Sequence, residues 1–165
     1  MPLTMSDFIL IMELVITVPM QPASTGMSIC GEEYTLEGRV LIIEDNIRNR
    51  NLLRRRFAED GLDVAEAETG AEGISEAMRL IPQVILLSTN LPDMPSLDVA
   101  ERLHAINRVK HAWLMMIGDK DNRRERLTGL DAGANDFINS PIDADLVALR
   151  VRNALNRQNK ENHTD

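Results

Sequence analysis

From Arg39 onward one pattern repeats five times: a short apolar run, a turn, then an amphipathic segment of helical length. Parallel strands cannot be joined by a tight hairpin, so strand-length runs alternating with helix-length segments predict a parallel sheet with crossover helices. The strands are expected at 40–43, 63–67, 84–87, 114–117 and 136–138. Only the second is weakly apolar, as an edge strand can be. Aromatic residues make up only 3% of the chain while aliphatic residues are plentiful, a balance that suits a sheet buried under helices on both faces.

The intervening segments carry their own boundary signals. Asn46 is a good cap for a helix reaching Asp60, and Gly61 stands where a left-handed residue ends it. Leu53 and Phe57 then share the buried face. A second helix over 69–80 stops before Pro82, and a third over 96–106 places Leu97, Ala100 and Leu103 on one side. The fourth spans 122–131 and ends at Gly133, and the last, 143–157, carries Leu146, Leu149, Val151 and Leu155 toward the core. With 165 residues, 44% of them hydrophobic, one domain over 39–157 is expected, preceded by an extension over 1–38 and followed by a frayed polar tail over 158–165.

Composition narrows the function. The single cysteine, Cys30, lies outside the periodic region, so disulfides do not shape this fold and a reducing cytoplasm fits it. A net charge of −8 argues against nucleic acid and anionic membrane, both of which reward clustered positive charge, and leaves proteins as the expected partners. The apolar stretch 8–18 contains Glu13, is too short to cross a bilayer and lacks a basic leader, so neither a membrane span nor a secretory signal is expected. Residues 8–16 are the part of the extension most suited to an amphipathic helix against a partner. Neither a P-loop nor a GxGxxG fingerprint is present.

In a doubly wound parallel sheet ligands gather beyond the carboxyl ends of the strands. Those loops begin with Glu44-Asp45, Ser88-Thr89-Asn90, Gly118-Asp119 and Asn139-Ser140-Pro141. The stretches Val-Leu-Ile-Ile-Glu44-Asp45-Asn46, Val-Ile-Leu-Leu-Ser88-Thr-Asn-Leu-Pro92-Asp-Met and Gly-Ala-Asn-Asp-Phe137-Ile-Asn-Ser140-Pro141 together resemble the CheY-like receiver domains of bacterial two-component response regulators. The resemblance covers residues 39–157, and Pro141-Ile-Asp followed by Leu149-Arg-Val-Arg152 looks most like receivers attached to diguanylate cyclases. It implies a flavodoxin-like α/β fold, a doubly wound five-stranded parallel sheet of order 2-1-3-4-5. It also implies a chemistry in which two acids after the first strand help hold Mg²⁺ and an aspartate ending the third strand takes phosphate from a kinase histidine. A threonine or serine ends the fourth strand, and a lysine precedes a cis proline.

The acidic pair is present as Glu44 and Asp45, but the nucleophile position is Ser88, the hydroxyl position Gly118 and the lysine position Ser140. An aspartate is already an anion at pH 7, whereas a serine hydroxyl needs an activating base, and no histidine falls in these loops. Without an acid at 88 the Mg²⁺ site loses an oxygen ligand, so Glu44 and Asp45 imply at most a weak or vestigial cation site and no required cofactor. Two carboxylates about 4 Å apart would repel by about 4 kcal/mol at an effective dielectric near 20, a cost that proton uptake, rotation or a loose cation relieves. Ser140 lacks the ammonium that pairs with an acyl phosphate, and Gly118 the hydroxyl that senses it. Phe137 holds the place of the aromatic that rotates in active receivers and is expected as an anchor under the fourth helix. Pro141 is expected to follow a cis peptide.

Two readings follow. In the first, the chain is a degenerate receiver, not an enzyme, that binds a protein partner: a sensor kinase, a regulator, an output protein or a second copy. The face formed by the fourth helix, fifth strand and fifth helix would carry Arg123, Arg124, Arg126 and Arg150 or Arg152 against an otherwise acidic protein. In the second, it is a phosphorylatable single-domain regulator with a non-standard acceptor, for which Asp93, five residues past Ser88, is the nearest carboxylate. Ser88→Asp alone is expected to restore part of the phosphate response, and Gly118→Thr with Ser140→Lys to restore more.

Overall fold

The structure, a computed structural model, describes residues 37–162. The expectations for Cys30 and for a helix over 8–16 lie outside the described residues. Five strands and five helices alternate: β1 (Arg39–Ile43), α1 (Ile47–Glu59), β2 (Asp63–Ala67), α2 (Gly70–Leu80), β3 (Val84–Ser88), α3 (Ser96–Ala105), β4 (Trp113–Asp119), α4 (Arg123–Asp131), β5 (Asp136–Ser140) and α5 (Ala144–Glu161). The strands form one parallel sheet in the order β2-β1-β3-β4-β5. The fold is therefore the expected flavodoxin-like doubly wound α/β architecture, with the weakly apolar β2 at one edge.

Period-two alternation sorts each strand between two cores. Val40 and Ile42 join Leu86, Met115 and Ile117 beneath α1 and α5, where Leu53, Phe57, Val151 and Leu155 close the layer. Leu41 and Ile43 turn to the other face and pack with Ile85, Leu87 and Met116 against Ala77 of α2 and Val99 and Leu103 of α3. The central strand β3 is buried at every residue, which explains why its sequence is an unbroken apolar run up to Ser88.

Side-chain caps fix the helix starts. The Asn46 carboxamide accepts from the Arg48 and Asn49 amides, Thr69 from Glu72, and Asp143 from Asp145 and Leu146. Gly61 follows α1 at φ 78°, where any side chain would be strained. Among the described residues no helix is long and apolar enough to cross a membrane.

Two expectations need correction. The final helix does not fray after 157 but runs to Glu161, because Leu155 anchors its preceding turn in the core and the Gln158 side chain donates to the His111 carbonyl at 2.7 Å. Leu146 and Leu149 do not enter the core: they are 47% and 51% exposed, and Val147, Ala148, Val151, Ala154 and Leu155 form the buried stripe instead.

Candidate functional site at the carboxyl ends of the strands

The register brings the loop residues together. Ser88 pairs with Ile117, one residue before Gly118, and Gly118 and Asp119 pair with Asn139 and Ser140. Glu44 extends β1 beside β3, so the residues named from the sequence line one rim of the sheet. The Ser140–Pro141 peptide that turns the chain away from this rim is cis.

Glu44 is 3% exposed, and its carboxylate accepts from the Asn46 amide at 3.1 Å and from the Asn49 carboxamide at 3.3 Å. Burial raises its pKa above the usual carboxylate range; the Asn46 amide opposes this and the neighbouring Asp45 adds to it. Asp45 itself is exposed. Beneath the pair lies a residue the sequence reading missed. Arg50 is 6% exposed and donates to the Glu44 carbonyl at 2.7 Å and to the Asp45 carbonyl at 3.2 Å, while its other nitrogens face Glu68 and, at 3.8 Å, Glu66. Its spacing from Leu53 and Phe57 was the available signal, because i, i+3 and i+7 share one helix face and an arginine there must find buried acceptors.

At the end of β3 the Ser88 hydroxyl is buried and turned onto its own loop. It donates to the Asn90 carbonyl at 3.3 Å and accepts from the Asn90 amide at 3.2 Å. Among the described residues no histidine, aspartate or glutamate bonds to it. Asp93, farther along the same loop, receives the Gly70 amide at 2.8 Å on one oxygen and the Ala71 amide at 2.9 Å on the other. Those two backbone bonds lower its pKa. Its carboxylate thus closes the start of α2.

Gly118 and Phe137 complete the rim. A β-carbon on Gly118 would lie 2.6 Å from Phe137 Cζ, 2.9 Å from Glu125 Oε2 and 2.9 Å from Thr89 Oγ1. The ring of Phe137 is 5% exposed and fills that space, in the core face that holds Met116 and Leu87. The Arg126 guanidinium lies 5.5 Å from the ring centroid and also donates to the Asn139 carboxamide. A threonine therefore fits at 118 only if its neighbours, Phe137 first among them, move.

The expected basic face also changes membership. Arg126 reaches β5 through Asn139, and Arg150 reaches it through Asp136 at 3.3 Å and the Phe137 carbonyl at 3.1 Å. Arg123 lies on the same flank of α4 as Arg126, one turn earlier. Arg124 does not belong there: a further 100° around the helix places it with Leu97 of α3. Arg152 is two residues past Arg150, on the opposite flank of α5, and pairs with Asp60 of α1 at 3.7 Å. In their place the β5 side presents Leu127 and Leu130 of α4 and Leu146 and Leu149 of α5, each at least 40% exposed.

As a metal centre the rim is poor. Among the described residues no three histidine, cysteine or acidic side chains converge, both carboxylate oxygens of Glu44 already accept hydrogen bonds, and Ser88 stands where a third anionic ligand would be needed. Two carboxylates therefore supply fewer anionic oxygens than the three-acid arrangement that the receiver resemblance implies.

Residues 40–152 match the family model of the response regulator receiver domain. The chain belongs to this family. Among curated relatives, the receiver is 31% identical to the response regulator PleD of Caulobacter vibrioides over 117 residues, which are 71% of this chain and 26% of PleD. It is 33% identical to the aerobic respiration control protein ArcA of Escherichia coli K12 over 118 residues, 72% of this chain and 48% of ArcA. The match thus spans about a quarter to a half of these proteins. Among solved structures, the signal receiver domain of a putative LuxO repressor protein from Vibrio parahaemolyticus superposes with a TM-score of 0.71 at 27% identity, covering 78% of this chain and 98% of that one. A CheY-like receiver from Methanospirillum hungatei JF-1 shares the fold, with a TM-score of 0.69 at 22% identity and coverage of 75% and 98%.

Proposed function

We propose that this receiver signals by binding a protein partner without accepting a phosphoryl group on an aspartate. The observation that carries the reading is the closed Ser88 loop: the side chain at the end of β3 is a hydroxyl to which no base among the described residues is hydrogen-bonded, and its hydrogen bonds go to Asn90. Asp93, the nearest alternative carboxylate, holds two backbone amides of α2 and would have to abandon both to act as a nucleophile. The acidic pair works without a resident Mg²⁺, its loop held instead by the Arg50 guanidinium on two carbonyls.

Without a phosphate to sense, the switch is set by packing. Gly118 leaves room for Phe137 to sit inward, and Arg126 and Arg150 tie the flanking helices to β5. The α4–β5–α5 face is then held in one arrangement, with four exposed leucines beside Arg123 and Arg126. An apolar centre rimmed by cations suits a protein partner with an apolar ridge and acidic edges. Sensor kinases, regulators, output proteins and a second copy of this chain all belong to the class it fits, and the lone Cys30 is consistent with work in the cytoplasm.

A photo-crosslinking amino acid placed at Leu127 or Leu149, in the cells that make the protein, tests this reading. Adducts are expected from both positions, at the same yield with and without a small phosphodonor, and an adduct of twice the chain mass identifies a homodimer. Adducts that form only with the phosphodonor, or form equally from the exposed Met78 on α2, contradict it.

A further inference from the structure

A cavity of about 340 Å³ opens between α3 and α4, next to the rim but on the side away from β5. It lies at the lower end of the range that holds small-molecule ligands, about 300–1,000 Å³. Leu97 and Met116 supply apolar surface within it, and Thr89, Ser96, Arg124 and Glu125 supply the polar groups. Three of these polar groups lack partners. Ser96 is only 7% exposed, and its hydroxyl, which makes no hydrogen bond among the described residues, lines the cavity. The Arg124 guanidinium and the Glu125 carboxylate form no ion pair among them either, which leaves both charges open to a ligand.

We propose that this cavity binds a small zwitterion with an apolar tail, the simplest being a free α-amino acid with an aliphatic or aromatic side chain. Opposite charges line the same cavity, which suits a ligand carrying both an ammonium and a carboxylate. Arg124 takes the carboxylate by charge-assisted hydrogen bonds and Glu125 the ammonium. The Ser96 hydroxyl gains the partner it lacks, and the tail lies against Leu97 and Met116. A simple anion would meet Glu125 unpaired and a simple cation would meet Arg124, so the pairing of charges selects against both.

Such a ligand would also act on the rim. Glu125 Oε2 lies 2.9 Å from where a β-carbon on Gly118 would stand, beside the ring of Phe137. Drawing Glu125 toward an ammonium changes the wall against which that ring packs, which provides a chemical input to the α4–β5–α5 face that needs no phosphate. Binding itself does not depend on whether the receiver accepts a phosphoryl group.

Isothermal titration of the full chain with L-leucine, L-methionine and L-phenylalanine tests the proposal, with 3-methylbutylamine and 4-methylpentanoate as leucine analogues lacking one charge. At least one amino acid is expected to bind saturably with a Kd below about 1 mM, and both analogues at least about tenfold more weakly. Arg124→Gln and Glu125→Gln should each weaken binding by about tenfold, Leu97→Trp should fill the cavity and abolish it, and Arg79→Ala on α2 should leave it unchanged. Thermal melts identify any variant that fails to fold, and the exposed Arg124 provides a charge deletion outside the core. Absence of saturable binding by all three amino acids, equal binding of either analogue, or indifference to Arg124→Gln would overturn the assignment.

Discussion

The ring of Phe137 occupies the volume that a side chain on Gly118 would need: a β-carbon there would lie 2.6 Å from Phe137 Cζ. The two residues sit in neighbouring strands two residues apart in register, and so on the same face of the sheet, Gly118 opposite Asn139 and Met116 opposite Phe137. A glycine at the end of β4 and an inward aromatic in β5 are therefore one structural choice. Neither can be changed alone without disturbing the other.

Gly118→Thr is accordingly expected to destabilise the protein by about 1–3 kcal/mol, the usual range for overpacking a filled core. Phe137→Ala should cost about 3–5 kcal/mol by leaving a cavity. The double variant should be more stable than the sum of the two losses, since the threonine enters space the ring has left. Urea denaturation of the four proteins measures the coupling, and strict additivity would show that the ring does not fill the glycine site.

Arg50→Met should destabilise by about 1–3 kcal/mol, because two carbonyls of the acidic loop lose a charged donor. Glu68 lies largely in solvent and recovers its hydration when the arginine is gone. Equilibrium unfolding with and without Mg²⁺ checks both the loss and its cause. A cation that fully rescues the variant would show that metal and guanidinium do the same work.

Glu44 provides a pH signature. Burial raises its folded pKa above the unfolded value near 4.5, so the folded state holds the proton more tightly and stability falls as pH rises through that window. Glu44→Gln should therefore raise Tm at pH 7, and the gain should vanish below about pH 4.5. Melting curves from pH 4 to pH 8 read this directly, and a variant less stable at neutral pH would mean that the carboxylate is held by a cation.

Asp93 should show the opposite slope. The Ala71 and Gly70 amides lower its folded pKa, so its contribution is present above the unfolded value near 3.8 and is lost as pH falls through the folded one. Asp93→Asn is expected to lower Tm at pH 7 and to converge with the parent protein in acid. An unchanged Tm at pH 7 would leave the carboxylate free for other chemistry.

The sheet was legible because the βα units carry boundary signals: Asn46 is the expected cap and accepts the Arg48 and Asn49 amides, Thr69 and Asp143, placed first in their helices, cap them, and Gly61 has the positive φ its position requires. The rim residues were legible because strand ends converge in this architecture whatever their chemistry. What sequence spacing did not reveal was direction. Arg124 and Arg152 were grouped with Arg126 and Arg150 by proximity in the chain, yet successive residues on a helix point about 100° apart and two residues separate opposite flanks. Arg50 was overlooked for a related reason, since its role depends on carbonyls exposed by a loop rather than on a charged partner nearby in sequence. The packing of Phe137 over Gly118 joins residues 19 positions apart and follows only from strand register.

The central claim is tested most directly by the intact mass of the full chain after incubation with acetyl phosphate and Mg²⁺, with Ser88→Asp treated in parallel. The parent protein is expected to keep its mass, while the Ser88→Asp variant gains a partial, hydroxylamine-labile phosphoryl group, partial because Ser140 supplies no ammonium to hold it. Stoichiometric, hydroxylamine-labile phosphate on the parent protein would contradict the account, because only an acyl phosphate on a carboxylate behaves that way.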